Sequence, residues 1–97
     1  MPEYARVATF EMDDTALEAL LAQIRADNRP PEGLPAKRLT ILADRSAGRV
    51  VVATRFRSED DLRRGAAVLD AMSPPDVGSR RRVSVDSYEI VFEQEAP

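Results

Sequence analysis

The side chains that could carry chemistry in this chain are defined first by two absences: it has no histidine and no cysteine. Without histidine it lacks the usual general base near neutral pH and the commonest metal and haem ligand. Without cysteine it has no thiolate nucleophile, no thiolate metal site and no disulfide. What remains is a set of hydroxyls at Thr9, Thr54 and Tyr88, an aromatic ring at Phe56, and charged groups at Arg55, Asp86, Arg80-Arg81-Arg82, Asp13-Asp14 and Asp60-Asp61. Each also has an ordinary structural reading. Threonines favour strands whatever else they do, and a phenylalanine is ordinary core material. The Tyr88 hydroxyl suits a ligand or a backbone partner equally. Asp86 would act as a general base only if burial raised its pKa, and an ion pair with Arg55 across strands is the expected arrangement. The triple-arginine run suits a phosphate, but beside a loop in an acidic chain it reads as the solvated start of a strand. Both acidic pairs stand at helix starts, where capping accounts for them without a metal. Neither a cofactor nor a metal is expected.

The elements that position these residues radiate from residues 39–62. Leu39 to Ala43 is an apolar run, Gly48 closes a polar turn, residues 49–56 are β-branched and apolar, and Ser58-Glu59-Asp60-Asp61 opens a helix. The turn offers Gly48 for a positive φ, so the two runs should form an antiparallel hairpin. In the second run Val50, Val52, Thr54 and Phe56 share one face, and Val51, Ala53 and Arg55 the other. With both faces largely apolar, both should be covered.

Before the hairpin, residues 4–12 alternate as a strand, with Tyr4, Ala8, Phe10 and Met12 on one face and Val7 and Thr9 on the other. Asp13, Asp14 and Thr15 supply capping oxygens, and Thr15 with Glu18 has capping-box spacing. Leu17, Leu20, Leu21 and Ile24 then form one stripe of a helix reaching Asp27. Residues 28–35, with three prolines and Gly33, read as a loop, followed by a strand over 37–44. After the hairpin, Ser58 caps a helix whose buried stripe is Leu62, Ala66, Leu69 and Met72. Glu59 with Arg63 and Asp60 with Arg64 are i, i+4 pairs on its wet side. Ser73-Pro74-Pro75 ends it, a polar loop runs through Gly78, and a last strand covers 82–93. There Val83, Val85 and Val91 oppose Tyr88, Ile90 and Phe92.

The order is βαββαβ. Joining two right-handed crossovers through a central hairpin predicts a ferredoxin-like α+β fold: a four-stranded antiparallel sheet with both helices on one face, in a single domain over residues 1–97. The other sheet face, carrying Val7, Val51, Ala53, Val83 and Val85, is too apolar for water. It should meet its copy in a homodimer.

The 42–52 hairpin, Leu-Ala-Asp-Arg-Ser-Ala-Gly-Arg-Val-Val-Val, followed by Thr54-Arg55-Phe56-Arg57-Ser58-Glu59-Asp60-Asp61-Leu62, resembles the antibiotic biosynthesis monooxygenase-like domains of the dimeric α+β barrel superfamily. The Tyr4-Ala5-Arg6-Val7 opening and the Tyr88-Glu89-Ile90-Val91 close are similar too, so the likeness spans most of the chain. The resemblance implies a cofactor-independent monooxygenase-like protein that acts on or binds a small aromatic, polyketide-like molecule between sheet and helices. It points to Phe56, Tyr88, Thr54 and Thr9 as substrate-binding residues; no catalytic residue is assigned. Where that family commonly has tryptophan, this chain has Phe56. Haem-degrading relatives use an asparagine in the first strand and a histidine in the second helix; this chain has Ala8 and Thr9 in that strand and no histidine. The alternative is a non-catalytic ligand-binding or structural dimer.

The formal net charge of −3 argues against nucleic acid, which needs a cationic face. RNA-recognition domains share this element order but carry aromatics on the open face of the central strands, where this chain has valines. No apolar run reaches the roughly 18 residues of a membrane span. The Met1-Pro2-Glu3-Tyr4 start lacks a signal peptide's basic and apolar regions, so a cytoplasmic location is expected.

Overall fold

A computed structural model describes residues 2–27, 33–71 and 80–96. The elements are β1 (Glu3–Met12), α1 (Asp14–Asp27), β2 (Arg38–Asp44), β3 (Arg49–Phe56), α2 (Glu59–Ala71) and β4 (Arg80–Ile90). The strands form one antiparallel sheet in the order β2-β3-β1-β4. This is the expected ferredoxin-like α+β arrangement.

The chain's own chemistry sets the boundaries. At the start of α1, Asp13 is the cap: its carboxylate accepts the Ala16 N–H at 2.8 Å and its carbonyl the Leu17 N–H at 3.0 Å. The expected Thr15–Glu18 capping box therefore gives way to a simple cap two residues earlier, because Thr15 already lies inside the helix. Ser58 caps α2 as expected, its hydroxyl accepting the Asp61 N–H at 3.1 Å. In the hairpin turn Gly48 has φ +66°, and the Asp44 carboxylate accepts the Ser46 hydroxyl at 2.8 Å and the Ala47 N–H at 3.2 Å. On the wet side of α2, Arg63 meets both Glu59 and Asp60, while Arg64 meets Asp61 rather than Asp60.

The sheet has two unlike faces. Towards the helices point Tyr4, Arg6, Ala8, Phe10 and Met12 of β1 and Val50, Val52, Thr54 and Phe56 of β3, as the ladder pairings require. Met12, Ala16, Leu17 and Val50 form a dry cluster under α1, flanked by Phe10, Leu20, Leu21 and Ile41. Phe56, Leu62 and Gly65 close the other end under α2. The expected stripe residue Met72 and most of the two proline-bearing loops lie outside the described residues.

β4 departs from expectation in position and in facing. It starts two residues early, because arginines sit comfortably on an edge strand. Ladder pairing stops at Ile90, opposite Glu3, where β1 runs out of backbone to bond. A register shift between Thr9 and Phe10 pairs Thr9 with Ser84 and Phe10 with Arg82, leaving Val83 as the extra residue. Val85 consequently stands opposite Ala8 on the helix side, and Ser84, Asp86 and Tyr88 occupy the open face. The expected Arg55–Asp86 pair does not form, because β1 lies between β3 and β4: Asp86 is opposite Val7 and Arg55 opposite Ala5.

Candidate functional site

The four residues singled out from sequence fall on opposite faces of the sheet. Thr54 and Phe56 face the helices; Thr9 and Tyr88 face away, Thr9 beside Val51 and Tyr88 beside Ala5. Phe56 has no exposed surface, whereas Tyr88 is 54% exposed on the edge strand. A site between the sheet and the helices thus has Thr54 and Phe56 available to it and not the other pair.

On the inner face, the half under α2 differs from the dry half under α1. Here two polar side chains are buried side by side: Arg6, 4% exposed, and Thr54, 1% exposed, are direct cross-strand partners. Directly opposite residues have Cβ atoms about 5 Å apart. The Arg6 guanidinium donates from Nη2 to Asp70 Oδ1 at 2.7 Å. Asp70 also accepts from Arg82 Nη1 at 3.1 Å. An acid in the last turn of a helix opposes the helix dipole, and α2 has no basic residue there. The two arginines from neighbouring strands supply the missing positive charge. Among the described residues, by contrast, Arg6 Nε and Thr54 Oγ1 are buried without a hydrogen-bond partner. Buried polar groups are normally satisfied, and each exception calls for an explanation.

Phe56 forms the apolar wall of this half. α2 passes so close above it that a Cβ on Gly65 would stand 2.5 Å from the ring Cζ and closer still to Cε1. Beside it, the Tyr4 hydroxyl is pushed up in pKa, first by burial and then by the carboxylates of Glu59 and Glu89. Sequence reasoning passed over Arg6, Gly65 and Asp70. A signal existed for Arg6, a charge in phase with Tyr4, Ala8, Phe10 and Met12, and for Gly65, a glycine one turn after the buried Leu62.

An isosteric Thr54→Val change removes the unpaired hydroxyl without changing shape. It is expected to raise the unfolding free energy by about 1 kcal/mol, measured by urea denaturation in ligand-free buffer. A loss of similar size would mean that the hydroxyl is already bonded.

At one end of the open face, Arg55 Nε donates to Glu3 Oε1 at 2.6 Å, its Nη atoms pair with Glu93, and Lys37 Nζ donates to Glu3 Oε2 at 2.9 Å. These contacts border a shallow groove with Ile90, Val91 and Phe92. Lys37, then Arg55, holds the Glu3 carboxyl below its ordinary 4.5, and Arg55 does the same for Glu93. Both folded pKa values are depressed, so the stabilisation is present above the unfolded pKa near 4.5 and is lost as pH falls through the folded values. An Arg55→Leu variant is expected to lose less stability than the parent between about pH 6 and pH 3, as urea midpoints would show. Because the carboxylates are at the surface, added salt should shrink the difference.

The acidic pairs are occupied locally: Asp13 caps α1, Asp14 meets Arg45, and Asp60 and Asp61 meet Arg63 and Arg64. Among the described residues no three acidic side chains are grouped to hold a metal ion, and no helix is long and apolar enough to cross a membrane.

No family model matches the chain, and no curated protein matches it. Among solved structures it is similar to the structure of Rv0793 from Mycobacterium tuberculosis, with 18% identity, a TM-score of 0.52, and coverage of 98% of this chain and 99% of that one. At that identity the likeness concerns the fold: both are small α+β ferredoxin-like chains over essentially their whole lengths.

Proposed function

We propose that this chain is a dimeric α+β barrel domain of the monooxygenase-like type that takes a small aromatic molecule between its sheet and α2. The observation that carries this reading is the unevenness of the inner layer. Packing alone would make that layer apolar throughout, as it is at Met12, Leu17 and Val50; under α2 it instead holds Arg6 and Thr54 with unused hydrogen-bonding capacity beside an aromatic wall. A largely apolar pocket with few polar groups is what small-molecule sites are made of.

In the catalytic form of the reading, the substrate supplies the electrons itself. An anthrone and O2 give the anthraquinone and water, and the protein contributes orientation and exclusion of solvent. Oxygen uptake with the anthrone dithranol, lost on Phe56→Leu with the fold intact, would support turnover. Saturable binding of an aromatic without any uptake would identify a binding domain.

The open face is the proposed homodimer surface. Val7, Val51 and Ala53 lie at its centre, Leu42 is 56% exposed at one side and Tyr88 54% at the other. Ion pairs stand at its two ends, Arg55 with Glu3 and Arg81 with Glu11. A domain of 97 residues has a modest core of its own, and covering this face would add to it. In this arrangement Thr9 and Tyr88 face the partner. Sedimentation equilibrium should give twice the chain mass, and Val51→Asp should give one chain mass with unchanged helix and strand signals. A monomeric parent would end this part of the proposal.

A further inference from the structure

Resting on the reading of a small-molecule site under α2, we infer that Arg6 Nε and Thr54 Oγ1 receive an anionic oxygen of the ligand: a carboxylate, or the phenolate or enolate of an aromatic. The two atoms belong to neighbouring residues on the same face of adjacent strands, both buried and both without a partner among the described residues. An N–H···O bond from Arg6 to Thr54 would satisfy both groups, and it is not formed. Both donors, the guanidinium N–H and the rotatable hydroxyl, therefore remain available to one acceptor.

Charge narrows the ligand further. Asp70 accepts from both Arg6 and Arg82; Asp70 and Arg82 stand half in water, so the positive charge held inside the layer is that of Arg6. A monoanion balances it. Asp70 takes only the Nη2 side of Arg6, fixing the guanidinium from outside while the Nε edge stays inside. Arginine suits this task because its fork presents several donors in fixed geometry and keeps its charge when buried. Glu59 and Glu89 act on Tyr4, two residues before Arg6 on β1, and would repel a second negative charge on that side. The ligand that fits carries one anionic oxygen at Arg6 and Thr54 and an apolar ring lodged beside the buried Phe56.

The test compares two probes of nearly equal size, 2-naphthoate and 2-naphthalenemethanol. It titrates each into the parent, Thr54→Val and Arg6→Gln chains by calorimetry while following the Arg6 Nε–H resonance by NMR. The expected result is saturable naphthoate binding that moves the Nε–H resonance and weakens roughly tenfold or more in Thr54→Val, as loss of a hydrogen bond to a charged group implies. The alcohol should bind more weakly and be indifferent to Thr54→Val. If Arg6→Gln fails to fold, Thr54→Val and the resonance carry the decision. Equal binding of alcohol and naphthoate, with the Nε–H resonance unmoved, would overturn the inference and leave the aromatic site standing. Binding of neither probe would overturn both.

Discussion

Replacing Phe56 by alanine is expected to lower the unfolding free energy by about 3–5 kcal/mol, the cost of deleting a large side chain from a site that cannot collapse. The ring has no exposed surface, sits at the last position of β3 opposite Tyr4, and is roofed by the backbone of α2 at Gly65. A small domain has about 5–15 kcal/mol in all, so the variant should be close to its limit at room temperature. Urea denaturation followed by circular dichroism is the measurement, with an unchanged slope confirming that stability alone has moved. The outcome bears on function. A ring that lines an open pocket would leave a slightly larger pocket behind, and its removal would cost well under the range above. A full cost marks Phe56 as the wall that holds α2 at its distance, with the ligand beside it rather than in its place.

Gly65→Ala carries the second large effect, and its sign opposes ordinary expectation. In an exposed helix interior the change from glycine to alanine stabilises by about 1 kcal/mol. Here the added methyl would overlap the edge of the Phe56 ring, which is fully buried and has nowhere to turn. Overpacking of this kind costs about 1–3 kcal/mol, so a net loss is expected. The double variant Gly65→Ala with Phe56→Leu should recover part of it, giving a coupling energy between the two positions of about 0.5–3 kcal/mol. A stabilising Gly65→Ala would mean that α2 lifts away from the sheet easily, and the close roof over Phe56 would have to be abandoned.

These two positions also show where the sequence is legible. β3 was readable to both ends because a glycine turn precedes it and a serine cap follows it. The topology followed from the order of elements and from crossover handedness. Facing on β4 was not readable: one extra residue at Val83 reverses the side on which every later residue emerges relative to a simple alternation, and bulges leave little mark on composition. That single residue moved Val85 to the helix side and placed Asp86 and Tyr88 on the open face, which separates Tyr88 from Phe56 by the thickness of the sheet. Arg6 was hidden for a different reason. In an alternating strand one charge among apolar residues reads as an imperfection of the pattern, and only the ladder shows that it stands in phase and beside Thr54. Asp70, acidic at the wrong end of its helix, could have prompted a search for the arginines that compensate it. The expected Arg55–Asp86 pair conflicts with the predicted topology, since β1 lies between β3 and β4 and the two residues are never cross-strand neighbours.

The proposed site for a small aromatic molecule lies between the sheet and α2. An amide NMR titration of the intact chain with 2-naphthoate tests it most directly. Binding there gives saturable shifts at Arg6, Thr54, Phe56 and Leu62, with Met12, Leu17 and Val50 at the dry end unmoved. Shifts confined to Val7, Val51 and Ala53 on the open face, or to the groove beside Arg55 and Glu93, would contradict it.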